Sequence, residues 1–270
     1  MKLGISTYTF TWAIGVPGYP KKAKPMDAIE LIRQAHEYGV SVVQLCDNLP
    51  LHTLSDEELI KIRDTASALK IELEVGTRGV ETAHLTRYME ICRLLGSNLL
   101  RVILHKDNTH ISVEEAGIFL SKVMADFERE RIYIAIENHE RHKVKDLIRL
   151  VSVINSPYLG ICLDTVNSFG ALEGPEYVIT ELAPYTLNLH VKDFIIKRLD
   201  HMMGFQLTGA PAGSGMLDLA HAAASLKKYG KDPNAILELW TPYKDDIETT
   251  VEKEKDWADK SIKFLKEWIR

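Results

Sequence analysis

Short apolar or β-branched runs alternate with stretches of helical periodicity along the whole chain. The runs are LGISTYTF from Leu3, SVVQLCD from Ser41, IELEVGT from Ile71, LLRVILH from Leu99, IYIAIENH from Ile132, GICLDTVN from Gly160, TLNLHVKD from Thr186 and AILELW from Ala235. Between them, MDAIELIRQAHEYG closes on a C-cap glycine at Gly39, SDEELIKIRDTASALK opens on Ser55 as an N-cap, and SVEEAGIFLSKVMADFERE sets Ser112 three residues before Glu115. Strand alternating with helix is the pattern of a parallel sheet, because parallel neighbours need a crossover to bring the chain back. Eight such runs in a chain of 270 residues predict a closed (β/α)8 TIM barrel. An open doubly wound sheet is disfavoured, since no GxGxxG follows an early strand.

Residues 1–270 are expected to form a single TIM-barrel domain, because no Gly/Ser linker, low-complexity block or abrupt change of charge divides them. Apolar residues make up 46% of the chain, enough for a sizeable core, and the net charge of −5 argues against a nucleic-acid surface. No run approaches the roughly 20 apolar residues of a membrane span, and MKLGISTYTF is not a signal segment. Cys46, Cys92 and Cys162 are an odd set without CxxC spacing, which points to buried free thiols in a reducing compartment. A soluble cytoplasmic protein acting on small solutes is the expectation.

Closure into a barrel brings strand C-terminal ends, distant in sequence, onto one rim. The fifth strand ends in Glu137-Asn138-His139, the sixth in Asp164-Thr165-Val166-Asn167, the seventh in His190-Val191-Lys192-Asp193 and the eighth in Glu238-Leu239-Trp240. A lone Asp at a strand end usually caps a turn, and a lone His is usually a hydrogen-bonded core residue. Glu137 and Glu238 resist that reading, because each interrupts an apolar strand and an unpaired buried carboxylate costs several kcal/mol. Taken together, Glu137, Asp164, His190 and Glu238 suit one hard or borderline divalent cation.

Further residues suggest how such a site handles substrate. Lys192 follows His190 by two positions and should share its side of the strand, where an ammonium can bind a carboxylate or polarise a carbonyl. His139 stands in the same relation to Glu137 and is a candidate proton donor or partner of a ligand. Trp12 and Trp240 offer apolar walls for a sugar, with Tyr8 and Phe10 alternating alongside Trp12. The segment FIIKRLDHMMGFQLTGAPAGSGMLD reads as a loop long enough to be a lid, carrying Arg198 and His201 toward substrate, although it lacks the GK[ST] ending of a phosphate loop. His105 and Asn167 complete the candidate substrate contacts, while Arg78, Arg101 and Arg141 read more readily as surface charge than as anion contacts.

At the motifs IENH, LDTVN, LHVKD and LELW the chain resembles the xylose-isomerase-like barrel superfamily of sugar isomerases, ketose 3-epimerases, dehydratases and apurinic endonucleases. The resemblance implies that Glu137, Asp164, His190 and Glu238 ligate a single manganese, magnesium or cobalt ion, with Glu137 and Glu238 also moving protons. It matches His105 to a ligand of the three-zinc site of the endonuclease branch. That branch has a second His where this chain has Asn167, and a His near the third strand where this chain has EVGTRG, so the endonuclease reading fails. The function it implies is isomerisation or epimerisation of a keto sugar or keto sugar acid through a metal-bound enediolate. IENHE, HVKD and HMMGF also resemble 3-oxo-isoapionate decarboxylases, which makes decarboxylation of a 3-oxo sugar acid the alternative. A non-catalytic sugar-binding barrel is the minor one. The expected partners are a small carbohydrate or sugar acid and, by resemblance, further copies of the chain, with no nucleic acid and no membrane.

Overall fold

Eight parallel strands close into a barrel in which each pairs with its neighbours in chain order and the first pairs with the last, as the apolar runs predict. The computed structural model describes residues 1–105, 109 and 111–269. The barrel strands are β1 (Leu3–Ser6), β2 (Val42–Leu45), β3 (Glu72–Arg78), β4 (Leu99–Ile103), β5 (Tyr133–Glu137), β6 (Leu159–Asp164), β7 (Thr186–Val191) and β10 (Asn234–Leu237). The hairpin β8 (Asp193–Arg198) and β9 (Phe205–Ala210) stands apart as a second, two-stranded sheet. Helices α1 (Thr11–Ile14), α2 (Ala28–Tyr38), α3 (Asp56–Ala68), α4 (Thr82–Leu95), α5 (Val113–Glu130), α6 (Val144–Ile154), α7 (Pro175–Leu182), α8 (Leu219–Lys228) and α9 (Ile247–Trp268) follow the strands. No described helix is long and apolar enough to cross a membrane.

Local chemistry fixes the helix ends as the sequence suggests. Ser55 with Glu58 and Ser112 with Glu115 form reciprocal capping boxes, and so do Asp27 and Glu30 at the start of α2. Gly39 ends α2 at φ 59°, in the left-handed region where a side chain is disfavoured. The three cysteines are buried and free.

Two expectations change. The first predicted strand stops at Ser6, so the alternation that groups Phe10 with Tyr8 and Trp12 breaks: Phe10 is buried in the core and stacks on Tyr38, 6.3 Å between ring centroids. The segment read as a lid loop is instead an antiparallel hairpin, paired from Asp193↔Ala210 to Arg198↔Phe205. The base of that hairpin is closed by Asp193, whose carboxylate accepts from the backbone N–H groups of Phe194, Gly213, Gly215 and Leu217 at 2.8–3.0 Å. A Cβ on Gly215 would sit 2.2 Å from Asp193 Oδ1, so the glycines of GAPAGSG let the loop wrap a carboxylate of the chain itself.

Helix α9 packs against α1 and holds it. The buried Glu254 carboxylate accepts from the backbone N–H groups of Trp12 (2.8 Å) and Ala13 (3.0 Å). Burial pushes this carboxyl up from 4.5 to about 8, against the pull of those two hydrogen bonds. A group whose pKa is higher folded than unfolded stabilises fully below its unfolded value and loses that contribution as pH rises through the folded one. Stability is therefore expected to decline from pH 4.5 to about 8 on account of Glu254. Thermal unfolding across that window, in wild type and in Glu254→Gln, checks this: the variant has no proton to release there and should show a flatter slope.

Candidate metal and active site

Glu137 is the last residue of β5, Asp164 the last of β6, and Glu238 follows β10 directly. His190 lies in β7, in register with Asp164. All four side chains are buried. His190 Nδ1 is 3.5 Å from Glu137 Oε2, 3.7 Å from Asp164 Oδ2 and 3.4 Å from Glu238 Oε1. The four strands thus bring together the four residues that the sequence singled out.

Each residue is anchored by one atom and presents another. Asp164 Oδ1 accepts from the N–H groups of Val166 (2.9 Å) and Asn167 (2.8 Å), so it caps the turn that follows, as a strand-end Asp ordinarily does. Asn138 fixes the same strand end, donating to the Asp164 carbonyl (2.9 Å) and accepting from its N–H (2.8 Å). Glu137 Oε1 accepts from Asn167 Nδ2 (2.6 Å) and Glu238 Oε1 from Ser6 Oγ (2.9 Å), while His190 Nε2 meets Gln44 Oε1 (2.8 Å). Of the remaining atoms, Asp164 Oδ2 and Glu238 Oε2 meet the Lys192 ammonium and Glu137 Oε2 meets the Arg101 guanidinium, while His190 Nδ1 is buried and makes no hydrogen bond. A buried ring nitrogen is rarely left so. Three carboxylate oxygens and one imidazole nitrogen converging in this way fit a divalent cation such as manganese, magnesium or cobalt.

Two buried cations flank the cluster. Lys192 Nζ lies 2.8 Å from Asp164 Oδ2 and 2.8 Å from Glu238 Oε2, and donates to Asn167 Oδ1 at 3.3 Å. Arg101 pairs through Nε with Glu137 Oε2 and through Nη1 with Asp47 Oδ1 at 2.6 Å. Surface charge is the wrong reading for Arg101, which is only 1% exposed on β4. Burial pushes the Asp164 carboxyl up, and the Lys192 ammonium with His190 more than offsets it, so Asp164 is held below the usual carboxylate range. Burial pulls Lys192 down, but Asp164, Glu238 and Glu137 raise it above an ordinary lysine, so it stays an ammonium. With His190 neutral, Glu137, Asp164, Glu238 and Asp47 against Lys192, Arg101 and Arg78 leave one negative charge. A divalent ion would turn that into one positive charge facing the cavity.

Above the cluster opens a cavity of about 530 Å³, lined by Tyr8, Trp12, Arg78, His139, Asn167 and Trp240 with Glu137, Lys192 and Glu238 at its floor. Trp12 is fixed by Nε1 donating to the Thr241 carbonyl (2.7 Å), and Trp240 lies over Lys192, 5.7 Å from Nζ to the ring centroid. His139 turns its Nδ1 to the Glu140 carboxylate. Burial, with Lys192 and Arg101 nearby, brings its pKa down to about 3, so the ring is neutral. His105 is buried against His139, 5.4 Å between centroids, and its Nε2 accepts from Arg78 Nη1 (2.9 Å). It supports the cavity wall and is not among the lining residues. Arg198 and His201 sit on the exposed hairpin, outside the lining: Arg198 lies over Phe205 (4.4 Å to the centroid) and His201 Nδ1 accepts from Met203 N–H (3.2 Å).

The residue that sequence reasoning missed is Asp47, which ties Arg101, Arg78 (3.1 Å) and the Tyr8 hydroxyl (2.9 Å) into one network. The signal that finds it is the one used elsewhere, since SVVQLCD also ends an apolar run in a carboxylate.

The sequence profile of the family described as "Xylose isomerase-like TIM barrel" matches residues 32–268. The 3-oxo-isoapionate decarboxylase of Pectobacterium atrosepticum is 35% identical over 265 residues, covering 98% of this chain and 95% of that protein. A D-psicose 3-epimerase of Clostridium cellulolyticum H10, solved with D-tagatose, superposes with a TM-score of 0.75 at 14% identity over 100% of both chains. A xylose isomerase-like TIM barrel protein of Mycobacterium smegmatis, in complex with magnesium, superposes with a TM-score of 0.71 at 12% identity over 96% of each. At these identities the two structural likenesses concern the fold alone.

Proposed function

Because the chain belongs to the xylose isomerase-like TIM barrel family, we propose that it is a divalent-metal-dependent enzyme that decarboxylates a 3-oxo sugar acid. The observation that carries this reading is the 35% identity to a 3-oxo-isoapionate decarboxylase over nearly the full length of both proteins. The charge count of the site supports it, since a cluster that becomes net positive with a divalent ion favours an anionic substrate over a neutral ketose.

Glu137, Asp164, His190 and Glu238 would hold the ion, which when bound supplies Lewis-acid stabilisation of negative charge on a substrate oxygen. Decarboxylation of a 3-oxo acid breaks the C1–C2 bond; its electron pair forms a C2–C3 double bond and the carbonyl π pair moves to the 3-oxo oxygen. Lys192, fixed between Asp164 and Glu238, adds a second positive charge beside that oxygen or the departing carboxylate. C2 must then take a proton, and Glu137 and Glu238, which line the cavity from separate strands, are the groups to pass it. Trp12 and Trp240 give the sugar carbons an apolar wall and limit water at the site.

Because both glutamates line the cavity, proton transfer beside the carbonyl without carbon dioxide loss, an epimerisation or isomerisation, is the second reading. A 3-oxo sugar acid labelled with ¹³C at C1 separates the two. Incubation with magnesium or manganese, stopped with a chelator and read by NMR in deuterated buffer, should show the label leaving as carbon dioxide. Deuterium exchange with the label retained would select the epimerase.

Lys192→Met tests the acid preference. A charge-assisted hydrogen bond is worth about 1.5–3 kcal/mol, so the KM of the acid should rise at least tenfold while that of a matched neutral ketose changes much less. A fall in kcat alone would assign Lys192 to the carbonyl instead.

A further inference from the structure

Beneath the cluster, the barrel interior holds polar groups that the proposed reaction does not use. Gln44 of β2, Glu74 of β3 and Asn188 of β7 are buried, and each is hydrogen-bonded to the next. Gln44 Nε2 donates to Glu74 Oε2 (3.0 Å) and to Asn188 Oδ1 (3.0 Å), and Asn188 Nδ2 donates to Glu74 Oε2 (2.9 Å). Asn234 Nδ2 donates to Glu74 Oε1 at 2.8 Å. Burial raises the Glu74 carboxyl above its ordinary pKa, but Oε2 serves as the acceptor for both amides, so each turns its NH2 group toward it. Gln44 must then point Oε1 the other way, where it lies 2.8 Å from His190 Nε2. A carbonyl oxygen facing that nitrogen requires a proton on it.

We propose that Gln44, oriented by Glu74, is a positioning residue that keeps the proton of His190 on Nε2 and so reserves Nδ1 for the cation. Nδ1 is the nitrogen that lies within 3.4–3.7 Å of Glu137, Asp164 and Glu238. The orientation of the ring is fixed from below by a buried chain of amides ending in a carboxylate, and it holds whether or not Nδ1 carries a proton. Partners of this kind on the far nitrogen of a ligating His typically change metal affinity by about 10- to 100-fold when lost. The role toward the metal rests on the reading of the site above; the placement of the proton does not.

The test uses full-length protein labelled with ¹⁵N-histidine, with the His190 signals assigned by their loss in His190→Gln. Long-range ¹H–¹⁵N spectra with and without magnesium should show a proton retained on Nε2 in both states. A bare Nε2 in the wild type overturns the proposal without any variant. Gln44→Met, near in size and without the acceptor, should give a mixture of His190 tautomers and a manganese dissociation constant at least tenfold weaker by calorimetry. Glu74→Gln, which frees the Gln44 amide to rotate, should shift both readouts in the same direction by less, and serves should the first variant fail to fold. Folded variants with wild-type tautomer and affinity would contradict the inference. Altered tautomers with unaltered manganese affinity would sustain the proton placement and overturn its role toward the cation, and wild-type protein that binds no manganese would refute the metal site on which that role rests.

Discussion

Glu137→Gln and Glu238→Gln are each expected to cut turnover of a 3-oxo sugar acid by about 10²- to 10⁴-fold, the range that positioned acid–base groups supply. The exchange preserves volume and the anchoring contacts. The Glu137 side-chain oxygen can still accept from Asn167, and that of Glu238 from Ser6. What disappears is a proton carrier and one negative charge. Because each residue also faces the proposed ion, the assay should be run at saturating metal, with bound metal measured alongside. Loss of turnover at full metal occupancy assigns the glutamate to proton transfer, whereas loss that follows occupancy assigns it to ligation. Near-normal turnover in both variants would exclude the two-glutamate scheme.

Arg101→Met should destabilise the metal-free protein by about 3–5 kcal/mol, because it leaves buried carboxylates without their counter-charge. Arg101 is 1% exposed and pairs with both Asp47 and Glu137, so no solvent screens the loss. The sign should reverse toward metal. With one positive charge removed the cluster is more negative, so the variant should bind a divalent ion more tightly and regain more stability on its addition than wild type does. Urea unfolding of both proteins, with chelator and with manganese, gives the two differences. Equal destabilisation in both conditions would mean that Arg101 does not share its charge balance with the cluster.

The fold was legible because parallel barrel strands, buried on both faces, read as continuous apolar runs. Each of the eight barrel strands falls on one of the runs, with at most one residue outside it. The four cluster residues were legible for the complementary reason, as ionisable groups that end such runs. Groups that act through partners remote in sequence were not. Arg101 sits between Leu100 and Val102 and pairs with Asp47, 54 residues earlier, and nothing local marks that contact. Gln44 and Glu74 look like the polar half of an alternating strand, yet they face the barrel interior and satisfy each other. The hairpin β8–β9 escaped notice because FIIKR and FQLTG alternate weakly and each strand is exposed over half its length, so Gly204 between them and the glycines that follow dominated the reading. The order of the two leading activities also shifts, since motif resemblance alone favoured isomerisation while a full-length relative favours decarboxylation.

The central claim is that Glu137, Asp164, His190 and Glu238 hold a divalent ion on which turnover depends. The direct measurement is to strip the purified protein with chelator, titrate manganese back by calorimetry, and follow carbon dioxide release from a 3-oxo sugar acid at each step. Binding of one ion per chain, with activity rising in proportion and both lost in Asp164→Ala, is the predicted result. Full activity in the stripped protein, or stoichiometric binding that survives Asp164→Ala, would contradict it.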